Sequence, residues 1–209
     1  MTNQNENNTK YRFLIEALRL FSEKGYKAVS VAEIANAVGC SAPALYKHYK
    51  SKQELLLAIF EESNKGFREQ MKQFKLETED SEEIKQRILS MSDDEQVYRI
   101  QSLVRHALHN EFAQAFRKMC AVEQFHMKEL AQIYTYRYYT FQTEQCEKVI
   151  QIMMDGGALK KADPKTLAIS YMSLPILAVG ICDREPEKED EMMQLIDNHI
   201  REFLRVYKA

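Results

Sequence analysis

Apolar residues recur along this chain at the three- and four-residue steps of a helix. Leu14, Ala17, Leu18 and Phe21 stand at i, i+3, i+4 and i+7 and lay one stripe along a helix over about 9–24. Gly25 follows where a left-handed residue closes a helix. Val31, Ile34, Ala35 and Val38 predict a short second helix, and Ser30 with Glu33 supplies the S-x-x-E pattern that satisfies free N–H groups at its start. Gly39 lets the chain turn. Ser41 then opens a third helix, with Pro43 tolerated in the first turn, reaching to about Lys50. Ser51-Lys52-Gln53-Glu54 repeats the capping pattern, and Leu55, Leu56, Ile59, Phe60 and Phe67 carry a long fourth helix to about residue 76.

Beyond it the polar runs ETEDSEE and SMSDDEQ are breaks, with helices predicted over about 81–90 and 95–109. Residues 111–155 read as helix throughout, with room for an unsignalled turn near 122–124, until Gly156-Gly157 ends the run. Asp163-Pro164 caps a helix over 165–182, and after the acidic connector DREPEKEDE a last helix spans about 186–207. The expected fold is all-α with about nine helices: a polar, disordered tail over 1–8, a compact three-helix domain over 9–52, and a larger helical domain over 53–209. Six Gly, four Pro and 45% hydrophobic residues suit such a core.

Net charge is −2, but eight lysines and arginines face five glutamates within residues 1–60, a local +3, so only this part invites a polyanion. The polar start and the absence of any evident 18-residue apolar span predict a cytoplasmic protein. Cys40, Cys120, Cys146 and Cys182 are widely spaced, as reduced thiols filling apolar space would be.

Two short helices joined by a glycine turn and backed by a preceding helix form a helix-turn-helix, whose second helix enters a major groove by its leading end. The small residues Ser41, Ala42, Pro43 and Ala44 let backbone approach DNA, with Tyr46, Lys47, His48, Lys50 and Lys52 around them. The stretch FSEKGYKAVSVAEIANAVGCSAPALYKHYKSKQELL resembles the N-terminal signature of the tetracycline-repressor (TetR) family of bacterial transcription regulators, through Phe21, Gly25, Ser30, Ile34, Ala35, Gly39, Ser41, Leu45, Tyr46, His48, Tyr49, Ser51, Lys52 and Leu55. The resemblance covers about 10–56. It implies that Ala42, Pro43, Ala44 and Lys47 face bases while Ser30, Tyr46, His48 and Lys52 hold phosphates of double-stranded DNA. It also implies a homodimer and a small-molecule effector of unknown identity. Cys40 departs from the family's usual Val, and Ala42 and Ala44 offer bases no hydrogen bonds, which leaves thymine methyls, Lys47 and DNA shape for readout.

Met192, Leu195, Ile196, His199, Ile200, Phe203 and Val206 make a full-length stripe on the last helix, and Leu174, Leu177 and Ile181 on the helix before it offer a partner, so that two copies would close a four-helix bundle; burial within one chain is the alternative. Pro175 should kink its helix. The aromatic-rich stretch with Phe125, Tyr134, Tyr138 and Tyr139, together with His106, Met119, Cys120 and Tyr171, is the expected effector pocket, against the alternative of plain core and surface. His106 and His109 are three apart without a carboxylate or thiolate cluster, so no metal site is expected and no cofactor is implied. No nucleophile elbow or phosphate loop argues for catalysis. The expected function is a dimeric repressor released from a palindromic operator by an effector; a DNA-binding protein without effector, and an all-α enzyme or carrier using the helix-turn-helix as scaffold, are the alternatives.

Overall fold

The computed structural model describes residues 2–78 and 82–209, and the side chains of 2–7, 71 and 73–78 lie outside the description. In chain order the helices are α1 (Thr2–Lys24), α2 (Val31–Ala37), α3 (Ala42–Tyr46), α4 (Lys52–Thr78), α5 (Glu82–Leu89), α6 (Asp93–His109), α7 (Glu111–Glu123), α8 (Lys128–Thr135), a π-helical turn Tyr136–Thr140, α9 (Phe141–Asp155), α10 (Pro164–Cys182), a 3₁₀ turn Pro186–Lys188 and α11 (Glu189–Tyr207). No strand occurs among the described residues; the only β-bridge there is Leu159 with Lys208.

Side-chain caps mark the starts of α2, α4, α6 and α10, whereas Ser41 precedes α3 without a side-chain cap bond. Ser92 and Glu95 form a complete capping box, and the Asp163 carboxylate accepts the Thr166 N–H at 2.7 Å ahead of Pro164. At Ser30 only half of the expected box forms: Ser30 Oγ accepts the Glu33 N–H at 3.1 Å, while the Glu33 carboxylate pairs with Lys24. The box at Ser51 is shifted, since Glu54 accepts the N–H of Lys50 at 2.6 Å. Residues 2–8, read from composition as a disordered tail, continue the backbone of α1, and α3 ends at Tyr46 rather than near Lys50.

The chain divides into two compact units, residues 1–70 with 111–134, and residues 71–110 with 135–209. In the first, α1, α2, α3 and the start of α4 bury Phe13, Leu18, Phe21, Ile34, Leu45, Leu55 and Ile59. The same core includes Phe116, Met119 and Cys120 of α7, which packs along α1, and Leu130 of α8. Met119 and Cys120, expected in an effector pocket, are therefore filler in the helix-turn-helix core. An amphipathic stripe says that a helix has a partner, not which one.

In the second unit α10 packs against α6, α9 and α11. By length and composition α10 is apolar enough to cross a membrane, which corrects the expectation that no such span exists; its one charge, Lys165, lies in the first turn. Pro175 lacks the N–H that would bond the carbonyl of Tyr171. His199 of α11 contacts that carbonyl through Nε2 at 3.1 Å and the neighbouring Ser170 carbonyl at 3.0 Å, replacing the missing donor. Met192, Ile196, Ile200 and Phe203, expected on the dimer face, are buried within this unit.

Candidate DNA-reading head and effector cavity

The candidate reading head is α3 with its flanks. Leu45 is wholly buried and fixes the helix on the core, while Ser41, Pro43, Tyr46 and Lys47 are exposed and Ala42 and Ala44 half-exposed. Tyr46 keeps 51% of its surface exposed. Both glycine turns adopt left-handed backbone, Gly25 at φ 83° and Gly39 at φ 75°, so each helix is re-aimed within a few residues. Behind α3, Arg12 donates to the Val38 carbonyl at 2.9 Å, and Tyr49 donates its hydroxyl to the Lys10 carbonyl at 3.1 Å. Burial, with Glu54 and Glu62 nearby, pushes the Tyr49 phenol up to about 12, so it remains a donor.

The residues expected to grip phosphate fall into two groups. Ser30 is exposed at the start of α2; its oxygen accepts from Glu33 and its own hydroxyl proton remains available to an acceptor. Tyr46 points outward. His48 is half-buried with its ring 5.8 Å from that of Phe13. Lys52 turns inward: its ammonium donates to the carbonyls of Tyr26 and Val29, both at 2.8 Å, and lies 4.4 Å above the Tyr26 ring. The geometry makes Lys52 a clasp between α4 and the α1–α2 turn.

A residue the sequence reading passed over completes that turn. Glu123, 4% exposed at the end of α7, accepts the Tyr26 N–H at 2.7 Å. A Cβ on Gly25 would stand 2.9 Å from the same carboxylate oxygen. The available signal was a lone Glu closing the apolar face of α7 beside Met119 and Cys120, which looks like ordinary surface charge.

The second unit contains a cavity of about 60 Å3. Of the expected pocket residues it includes only Tyr171. His106 and Tyr139 are exposed, Tyr134 packs on the first unit's core, Tyr138 is half-buried in the π turn, and Phe125 is 86% exposed in the turn after α7. The walls come instead from Gln96, Arg99, Ile100 and Leu103 on α6, from Gln142, Gln145, Cys146, Val149 and Met153 on α9, and from Met172 and Phe203. On each helix these follow the i, i+3, i+4, i+7 step, a mixed polar and apolar stripe that the sequence did display. Burial pushes the Cys146 thiol up to about 12 against the opposing pull of Arg99, and raises the Tyr171 phenol, with Cys146 adding to the rise and Arg99 opposing it.

Residues 13–59 match the family model of bacterial regulatory proteins of the tetR family. This stretch is the N-terminal domain of the tetR family. The HTH-type transcriptional regulator AcrR of Shigella flexneri is 43% identical over 67 residues, which is 31% of this chain and 31% of AcrR. Sequence kinship with that relative thus spans about a third of either protein. Likeness of fold extends over the whole chain. A TetR transcriptional regulator from Chloroflexus aurantiacus J-10-FL superposes with TM-score 0.67 at 18% identity, covering 99% of both chains. SmeT, the repressor of the Stenotrophomonas maltophilia multidrug efflux pump SmeDEF, superposes with TM-score 0.62 at 21% identity, covering 96% of this chain and 90% of SmeT. These relatives are regulators of transcription and not enzymes.

Proposed function

We propose that this protein is a dimeric transcription regulator that binds a palindromic operator and is released from it by a small molecule. The observation that carries this reading is the outward-facing leading end of α3, where Ser41, Ala42, Pro43 and Ala44 leave backbone near the surface and Tyr46 and Lys47 flank it. On this reading Ala42, Pro43, Ala44 and Lys47 face bases, Ser30, Tyr46 and His48 position the phosphates, and Lys52 holds the head together. A dimer sets two such heads roughly 34 Å apart, one helical turn of DNA.

Leu177 and Leu195 support the dimer: they are 56% and 41% exposed, on α10 and α11, with Leu174 and Ile181 half-exposed beside them. Apolar surface of this kind on adjacent helices is stabilised by a second copy. SmeT, of the same fold, has also been determined in complex with triclosan, and on this reading an effector of the present chain would occupy the cavity walled by α6 and α9. Binding there releases DNA only if the ligand prefers the released conformer, by a coupling typically of ~1–3 kcal/mol. The protein would work in the cytoplasm, beside DNA.

The test is selection of duplexes from a random pool on the purified protein, repeated with cell extract. A palindromic consensus whose retention the extract abolishes is the expected result. No duplex retained at any salt concentration would defeat the reading.

A further inference from the structure

The cavity in the second unit has a chemistry that narrows what can occupy it, granting the reading of it as the effector site. We infer that the effector is a small monocarboxylate: an apolar tail with a single negative head, the head held by Arg99.

Three observations converge. Arg99 is the only charged side chain among the residues lining the cavity, and none of those residues carries a carboxylate. A guanidinium has five N–H donors in a planar fork that fits a carboxylate with two parallel hydrogen bonds, so it can take a ligand while retaining other contacts. The remaining polar groups, Gln96, Gln142, Gln145, Cys146 and Tyr171, are neutral. Burial keeps the Cys146 thiol and the Tyr171 phenol protonated, so neither puts negative charge beside the head. The rest of the wall is aliphatic, aromatic or thioether, and Met153 and Met172 can re-pack around a tail larger than the empty space.

Competing chemistries fit less well. An amine would bring like charge to Arg99 in a water-poor site. A phosphate dianion would bury a second charge against a single cation. A wholly apolar molecule would bring hydrocarbon against the guanidinium and offer it no acceptor.

The decisive experiment titrates the full-length protein with hexanoate, hexanamide and hexylamine at equal ionic strength, by calorimetry. Hexanoate should bind one per chain and about tenfold or more tighter than hexanamide, as a charge-assisted hydrogen bond predicts. Hexylamine should bind weakest. Arg99→Gln should bring hexanoate down to the amide's level, and Arg99→Lys should restore part of the difference. Equal or tighter binding of the amide or the amine, unchanged hexanoate affinity in Arg99→Gln, or no hexanoate binding at all would overturn the assignment. The wild-type comparison of acid with amide decides even if a variant does not fold. DNA retention is read separately. Arg99-dependent hexanoate binding with retention unchanged would uphold the ligand class while the regulatory reading fails. Release of DNA by an extract component indifferent to Arg99→Gln would overturn the ligand class while that reading stands.

Discussion

Single polar side chains hold this molecule's turns, and their removal leaves a buried group unpaired. His199→Ala strips the carbonyl of Tyr171 of its substitute donor inside α10, beside the cavity. Loss of about 1–3 kcal/mol of stability in urea unfolding is expected, the penalty for an unsatisfied buried acceptor. Lys52→Met removes two charge-assisted bonds, and it should lower the stability of the first unit by ~1.5–3 kcal/mol, with any weakening of DNA binding following the unfolded fraction rather than the salt dependence. If instead Lys52→Met lowers the slope of log affinity against log salt while unfolding is unchanged, Lys52 is a phosphate contact after all. Acid should act through the caps. Lys24 holds the Glu33 carboxyl below its ordinary value of 4.5, Ser92 does the same for Glu95, and Thr166 lowers Asp163 from 3.8. Folded values below unfolded ones mean that this stabilisation is complete above those ordinary values and is lost as pH falls through the lowered ones. The midpoint of thermal unfolding should therefore drop on acidification below about pH 4.5, and Asp163→Asn should flatten part of that drop.

Among the elements, α3 and α7 show opposite limits of what a pattern reveals. For α3 the preceding glycine turn and the proline of its first turn are local, so its start is legible, and so is its outward face. Tyr46→Ala should weaken binding to all duplexes and reduce the salt slope by about one, whereas Lys47→Ala should mainly relax base preference, by ~1–3 kcal/mol at the affected position. Competition between operator and random duplex, measured by fluorescence anisotropy, separates the two. For α7 the stripe is equally clear but its partner is remote: Met119 and Cys120 meet the α1 core, and Glu123 reaches Tyr26 across 97 positions of sequence. Met119→Ala should cost about 2–5 kcal/mol as a core cavity and loosen the reading head without touching any ligand contact.

At the scale of the whole molecule, the exposed leucines of α10 and α11 set the prediction for assembly. On the proposed dimer, the unaltered chain should sediment as a dimer and Leu177→Glu combined with Leu195→Lys as a monomer, with secondary structure retained because both side chains are largely outside the core. Each monomer would keep a folded head but lose the paired contact, so affinity for a palindrome should fall toward that for a half-site. A double variant that remains dimeric would move the interface elsewhere.

Taken alone, the sequence determined the helical class, most helix starts and the exposed leading end of α3, because caps, glycine turns and the helical step are encoded within a few neighbouring residues; the starts of α8 and α9 inside the continuous apolar pattern of 111–155 carried no such local signal. It also determined kinship, since the signature lies in one continuous stretch. Tertiary structure alone decided which stripe meets which. It sent Met119 and Cys120 into the reading head, turned Lys52 inward, made His199 the partner of a carbonyl that Pro175 had orphaned, and divided the last helix between a buried face and an exposed Leu195. Those outcomes depend on contacts between residues far apart in the chain, and a periodic pattern fixes the side of a helix that is buried without naming what buries it.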